Sequence, residues 1–266
     1  MIWEIEKDER KSFLVGTAHF FPQSFRKSLT SLIQHASTVL FEGPLDESNL
    51  DVVRQHGLEG GKNTLLLEAL DHNVTDAINR ELADRPGDTG DSFMSSIDFL
   101  KSRNRGMLQN EIEGLRPWMA FFKLWSQFLM KRGWKYSVDL EALAVARELG
   151  KEIVFLETIE EQLEALDGIP FERIVDYLNN FRSWERFSQH HRKQYLKGSL
   201  DGLLNITIEF PTRCPSIIGH RDPVFFERMK PYVDAGEAAV FVGTTHVRGL
   251  TKMLEEDGFN VSQSRP

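Results

Sequence analysis

The sequence predicts an α/β protein with one central sheet, and three features carry that expectation. Four short apolar runs share a grammar in which a few aliphatic or β-branched residues run straight into Gly, His or Glu. They are Phe13–Gly16 before Thr17-Ala18-His19, Thr38–Phe41 before Glu42-Gly43, Ile153–Leu156 before Glu157-Thr158, and Ala239–Gly243 before Thr244-Thr245-His246. Each reads as a strand buried on both faces. Helical patterns separate these runs, as a sheet with helical crossovers requires. The third feature is a two-fold echo, Gly16-Thr17-Ala18-His19 near the start and Gly243-Thr244-Thr245-His246 near the end.

Taken in order, Trp3–Glu6 and Phe13–Val15 form an opening hairpin around the charged turn Lys7–Lys11. Roughly from 44 to 136 the chain reads as a mostly helical insertion, punctuated at Gly60-Gly61, Pro86-Gly87 and Gly114. Within it Trp118, Phe121, Phe122, Trp125, Phe128 and Leu129 keep helical spacing and make one wide apolar face. That face is expected in the core; Met119 and Met130 extend it, so a homodimer seam or a groove for an apolar peptide is the alternative. Val138–Leu149 is the clearest helix, with Leu140, Leu143, Ala144 and Ala146 in phase and Gly150 as its stop. Thr158–Leu166 starts another directly after a strand, Phe171–Gly198 reads as one or two long polar-faced helices, and Phe259–Val261 closes the chain as a last strand. No fixed-period repeat and no Pro/Gly/Ser-rich linker divides residues 1–266, so a single domain is expected.

The 266 residues are 41% hydrophobic and 27% charged, a globular composition able to fill one core. A formal net charge of −8 offers no basic field for phosphate backbones, which argues against nucleic-acid binding. One cysteine, Cys214, excludes an intrachain disulfide and a cysteine-rich zinc site, so any metal must be held by His, Asp or Glu. The opening MIWEIEKDER places acids where a signal peptide needs a basic start, and the most apolar stretch, Trp118 to Trp134, is interrupted by Lys123, Gln127 and Lys131. A cytoplasmic protein without a membrane anchor is expected.

The chemistry is expected at the strand ends. In each echo the strand runs into Gly, two small residues and His, so the imidazole emerges just beyond the carboxyl end, where open α/β sheets bind ligands. Glu42 stands in the same relation to Thr38–Phe41, with Gly43-Pro44 forcing the turn after it. If these strands are neighbours, His19, His246 and Glu42 converge, a sufficient ligand set for a divalent cation with open positions. One such histidine alone reads as a turn cap or a satisfied structural residue; two at near-identical strand exits favour the ligand reading. Glu157 ends the third run and is a further ligand, a water-activating base or the N-cap of the next helix, whose first-turn Glu160 and Glu161 suit the helix dipole. His190-His191, among Arg186, Arg192 and Lys193, reads as a solvated helical face; His220 reads as a solvated loop residue, and His35, His56 and His72 as surface. No His-Glu-x-x-His, Gly-x-Ser-x-Gly or kinase motif set occurs.

Three segments together resemble the TraB/GumN family. They are Leu14-Val15-Gly16-Thr17-Ala18-His19 preceded by Trp3-Glu4-Ile5, the stretch from Gly150 to Gln162, and Phe241-Val242-Gly243-Thr244-Thr245-His246-Val247 followed by Gly249-Leu250. They stand in the family's order and span nearly the whole chain. The resemblance implies a fold with pseudo-two-fold halves and, from the Tiki branch, a metal-dependent peptidase site using His19, His246 and Glu42. It also implies a functional Arg followed by Asn or Asp ahead of the last Gly-x-x-His strand. Arg221-Asp222 is the best match, although Gly219-His220 and Pro223 around it depart from the commoner pattern.

Three functions follow as expectations. The first is a hydrolase of peptide or amide bonds in which His19, Glu42 and His246 bind Mn, Co or Zn, Arg221 steadies a carboxylate or oxyanion and Glu157 moves the proton. The second is a non-catalytic protein that sequesters a peptide or small ligand in the same cleft, as the pheromone-shutdown branch of the resemblance suggests. Metal-free ester hydrolysis with His19 as base is a third.

Overall fold

The computed structural model describes residues 1–44, 46–58, 64–83 and 108–264. The punctuation expected at Gly60-Gly61 and Pro86-Gly87 lies outside the described residues. The strands are β1 (Ile2–Lys7), β2 (Arg10–Thr17), β3 (Thr38–Phe41), β4 (Glu152–Phe155), β5 (Ala238–Gly243) and β6 (Asn260–Gln263). The helices are α1 (Arg26–Ile33), α2 (Glu47–Leu58), α3 (Thr64–Ala69), α4 (His72–Ala83), α5 (Leu108–Ile112), α6 (Pro117–Lys131) and α7 (Val138–Glu148) in the first part of the chain. They continue with α8 (Ile159–Asp167), α9 (Phe171–Asn179), α10 (Trp184–Leu196), α11 (Leu200–Ile206), α12 (Arg221–Ala235) and α13 (Thr244–Glu256).

The six strands form one mixed sheet in the order β4-β3-β5-β2-β1-β6. The four strands β4, β3, β5 and β2 are mutually parallel, while β1 runs antiparallel to both β2 and β6. Parallel pairing brings the carboxyl ends of the four predicted runs to a single edge, which is the geometric condition for their exit residues to meet. The two echo strands are immediate neighbours, with Gly16 opposite Val242 and Thr17 opposite Gly243.

Alternation along these strands divides the core in two. Val15, Val39, Phe41, Ala239 and Phe241 face the larger cluster, built with the helices of the middle of the chain. Leu14, Leu40, Val240 and Val242 face the other side and pack on Phe225 and Met229 of α12 and Val247, Leu250 and Leu254 of α13. Two-sided burial holds for β3 and β5, whose Val39, Leu40, Phe41, Ala239, Val240, Phe241 and Val242 are all buried. At β4 the expectation fails: the strand lies at the sheet's edge and its residues are only half-buried or exposed.

Local chemistry sets the boundaries. The expected five-residue turn Lys7–Lys11 is tighter than read, because pairing continues to Lys7 and Arg10 and leaves only Asp8 and Glu9 to turn, at φ 50° and 63°. Left-handed φ at both positions matches the right-handed twist of a two-residue hairpin. The side chain of Ser137 accepts the Leu140 N–H to start α7, and Gly150, at φ 62°, stops the chain after it. Thr158 and Glu161 form a reciprocal capping box at the start of α8, so Thr158 and not Glu157 is the N-cap. Phe171–Gly198 resolves into α9 and α10, broken by a 3-10 turn at Phe181–Ser183.

The aromatic stripe on α6 is core. Trp118, Phe121, Trp125, Phe128 and Leu129 are buried, and the Trp125 ring meets Tyr177, Trp184, Phe187 and Phe210 at centroid distances of 5.1–5.8 Å. Among the described residues no helix is long and apolar enough to cross a membrane.

Candidate functional site

At the shared edge, β3 delivers Glu42, β4 delivers Glu157, β5 delivers His246 and β2 delivers His19. The backbone keeps the first two in step beyond their strands, the Glu157 N–H donating to the Glu42 carbonyl at 2.8 Å. His246 does not sit in a loop as its partner does: β5 passes directly into α13, so this ring stands in the first helical turn. α12 enters the same edge N-terminus first and contributes Arg221 and Asp222.

Arg221 ties most of the predicted residues together. Its Nε donates to Glu157 Oε2 at 2.8 Å and its Nη2 to Glu157 Oε1 at 2.6 Å, a two-pronged clamp. The same Nη2 donates to Glu42 Oε2 at 3.1 Å, and Nη1 lies 3.4 Å from His246 Nε2. Glu42 Oε1 accepts the Gly243 N–H and lies 3.7 Å from His246 Nε2. Glu42, Glu157, Arg221 and His246 therefore form one contiguous group, while His19 stands apart from their hydrogen bonds and acts on Glu42 through charge.

Each histidine has its own carboxylate. His246 Nδ1 is 2.6 Å from Asp222 Oδ1, and His19 Nδ1 is 2.9 Å from Asp139 Oδ2. Asp139 lies in the first turn of α7 and also accepts from the Ser137 hydroxyl at 3.3 Å. Holding Nδ1 fixes the ring and leaves Nε2 as the working nitrogen, the arrangement that orients metal-ligating histidines. A glycine makes the His246–Asp222 pair possible: a Cβ on Gly249 would fall 1.9 Å from Asp222 Oδ2. Two of the site's other carboxylates also rest near glycines, Glu42 beside Gly243 and Glu157 beside Gly43.

The charges are strongly coupled. Burial opposes ionisation of Glu42, but His246, Arg221, His19 and the Gly243 N–H together hold its pKa down at about 2. Burial pushes Glu157 up against the opposing pull of Arg221. Arg221 is disfavoured by burial and more than restored by the carboxylates it holds. The charge on Asp139 is the main cause that lifts His19 to about 9; burial opposes it, the Asp139 hydrogen bond and Glu42 add to it, and Arg221 lowers it. By surface area the His19 side chain is 66% exposed, although the surrounding protein is dense enough to penalise its charge.

The edge thus gathers four carboxylates, Glu42, Glu157, Asp139 and Asp222, against one permanent cation, Arg221. A centre with that excess attracts cations. Two imidazole Nε2 atoms and a carboxylate fit a divalent ion in kind. As placed, no group of three or more His, Cys, Asp or Glu among the described residues closes on a common point, and Arg221 engages Glu42 Oε2.

The remaining histidines divide. His35, His72, His190 and His220 are exposed, as expected. His191 is not solvated: it lies half-buried against Trp134, Phe187 and Tyr195, and burial lowers its pKa to about 4. His56 has a partner after all, Asp167 Oδ2 at 2.7 Å. Two residues of the site escaped the sequence reading. Asp222 was visible as the neighbour of Arg221, but nothing tied it to a histidine 24 positions away. Asp139 gave no signal beyond an acid in a helix's first turn.

The family model described as TraB/PrgY/gumN family matches residues 1–263. No curated protein and no solved structure matches the chain.

Proposed function

Because the chain belongs to the TraB/PrgY/gumN family, we propose that it hydrolyses peptide or amide bonds with a divalent cation held by His19, Glu42 and His246. One observation carries this reading: both strand-exit histidines have Nδ1 fixed by a carboxylate, which orients each ring and leaves Nε2 as the nitrogen for a ligand, at His246 in exchange for its contact with Arg221. The excess of carboxylates over cations, which remains when a charged His19 is counted with Arg221, supports it independently.

A divalent cation supplies Lewis acidity toward a carbonyl and acidifies water. The chain's own groups do the rest. Asp222 and Asp139 orient the two rings. Glu157, whose pKa burial raises from its ordinary value, is more basic than Glu42 and is the group to take a proton from the attacking water. Arg221 holds Glu157 and Glu42 in fixed relation and neutralises part of their charge, so its task is to steady carboxylates more than to meet an oxyanion.

Activity on model peptides is expected to vanish with a chelator and return with Mn, Co or Zn. Activity that survives exhaustive chelation contradicts the reading. A second reading, sequestration of a peptide or small ligand without turnover, is favoured by the self-satisfied Arg221 cluster, which needs no further ion to be hydrogen-bonded. Ligand binding that persists without turnover after chelation and in Glu42→Gln would favour it.

A further inference from the structure

Beside the acidic centre lies a set of guanidiniums that the mechanism does not use. Arg213 precedes α12 and reaches the first turn of α13, where its Nη1 donates to Thr245 Oγ1 at 2.8 Å and approaches the Thr245 carbonyl at 3.4 Å. Thr245 immediately precedes His246, so this half-buried cation stands one residue from the site. It has no carboxylate of its own among the described residues. The acid that acts on it, Asp222, is committed to His246.

Arg173 is tied to the same stretch of backbone, since the Phe210 carbonyl that accepts from Arg173 also accepts the Arg213 N–H at 2.9 Å, and its charge disfavours that of Arg213. Its Nη2 donates to the carbonyls of Ile208 and Phe210 at 2.7 and 2.9 Å, and its Nε is buried with no acceptor. The third member, Arg248, pairs with Asp201 at the exposed surface. Two neighbouring guanidiniums bonded only to neutral oxygens, one with an orphan N–H, constitute an unmet demand for an anion.

We propose that Arg213, with Arg173 beside it, anchors a carboxylate of the ligand next to the bond presented to His19, Glu42 and His246. The identity of that bond rests on the hydrolase reading above; the anchoring does not. A carboxylate is repelled from the four acids of the centre and drawn to the flank, so its position sets which neighbouring amide lies over the centre. The planar guanidinium fork suits a carboxylate. A peptide's free C-terminus and an acidic side chain share this chemistry.

Three probes separate these sources: N-acetyl-trialanine, its C-terminal amide, and the same amide with glutamate in last place. Calorimetric binding to the full chain is expected to favour one or both acids over the neutral amide by about tenfold, the worth of one charge-assisted contact. Preference for the first acid identifies a C-terminus, and preference for the second a side chain. Arg213→Gln is expected to remove the preference while leaving the neutral amide's affinity unchanged, and Arg213→Lys to keep part of it. Should Arg213→Gln not fold, Arg173→Gln and the wild-type acid-to-amide ratio decide. Equal binding of all three probes, binding of none, or a variant that weakens all three alike overturns the proposal; the last outcome would make Arg213 a brace for Thr245. Discrimination in binding without any hydrolysis would contradict the hydrolase reading and leave the anchor standing.

Discussion

The two Gly-x-x-His turns differ in how they are housed. After β5 the chain enters α13 at once, and the His246 side chain is 1% exposed, its ring tilted against Phe225 at a centroid distance of 5.2 Å and held by a buried Asp222. After β2 the chain leaves in an irregular turn, and His19 stands 66% exposed with Asp139 behind it. Four near-identical residues thus yield a rigid ring on one side of the site and an open one on the other. The difference originates outside the motif, in whether a helix begins immediately and in what packs on it. On the proposed reading, His246 fixes the geometry and His19 meets solvent and ligand.

Asp222→Ala is the strongest way to break that contrast. Removing one partner of a buried charged pair is expected to cost about 3 kcal/mol, whereas Asp139→Ala, beside an exposed ring, costs about 1 kcal/mol or less. Urea denaturation at neutral pH measures both, and equal losses would mean the two halves are equally buried in energetic terms. Gly249→Ala comes next: a methyl 1.9 Å from Asp222 Oδ2 must displace that carboxylate, at a cost of about 2 kcal/mol. In an Asp222→Ala background the same change is expected to cost little, and full additivity would show that Gly249 does not act through Asp222.

A smaller effect sharpens the other half. In metal-free protein the folded pKa of His19, about 9, lies above its ordinary 6.5. The charged His19–Asp139 pair therefore stabilises fully below about pH 6.5, and this contribution fades as pH rises through about 9. Glu42 behaves oppositely: its pKa falls from 4.5 to about 2, so its contribution is present above 4.5 and is lost as pH falls toward 2. Stability followed across pH should lose its alkaline slope in Asp139→Asn; a slope unchanged in that variant would assign it to another group. The smallest change touches neither half. Asp8→Asn with Glu9→Gly relieves two left-handed backbone positions and is expected to add about 0.5 kcal/mol net, with the His19 titration unmoved.

The fold was legible where burial and turn chemistry are local. The four strand-exit runs, the α7 stop at Gly150 and the α6 stripe all follow from patterns a few residues long. The half-burial of β4 was not legible, because edge or centre is decided by strand order and not by composition. The convergence of Glu42, Glu157, His246 and Arg221 follows from four parallel strands sharing an edge. Asp139 and Asp222 were hidden because a carboxylate's partner 24 or 120 residues away leaves no local trace. The same holds for the role of Gly249, which exists only because α12 and α13 cross there.

On the proposed function, His19, Glu42 and His246, at the ends of β2, β3 and β5, hold one divalent cation. Elemental analysis of protein purified without added metal tests it most directly, in the wild type and in His19→Ala, Glu42→Ala and His246→Ala. The prediction is about one equivalent per chain in the wild type, nearly none in His246→Ala, and reduced occupancy in the other two. Metal content unaffected by His246→Ala, or a wild-type protein that takes up no divalent metal even when it is supplied, would contradict it.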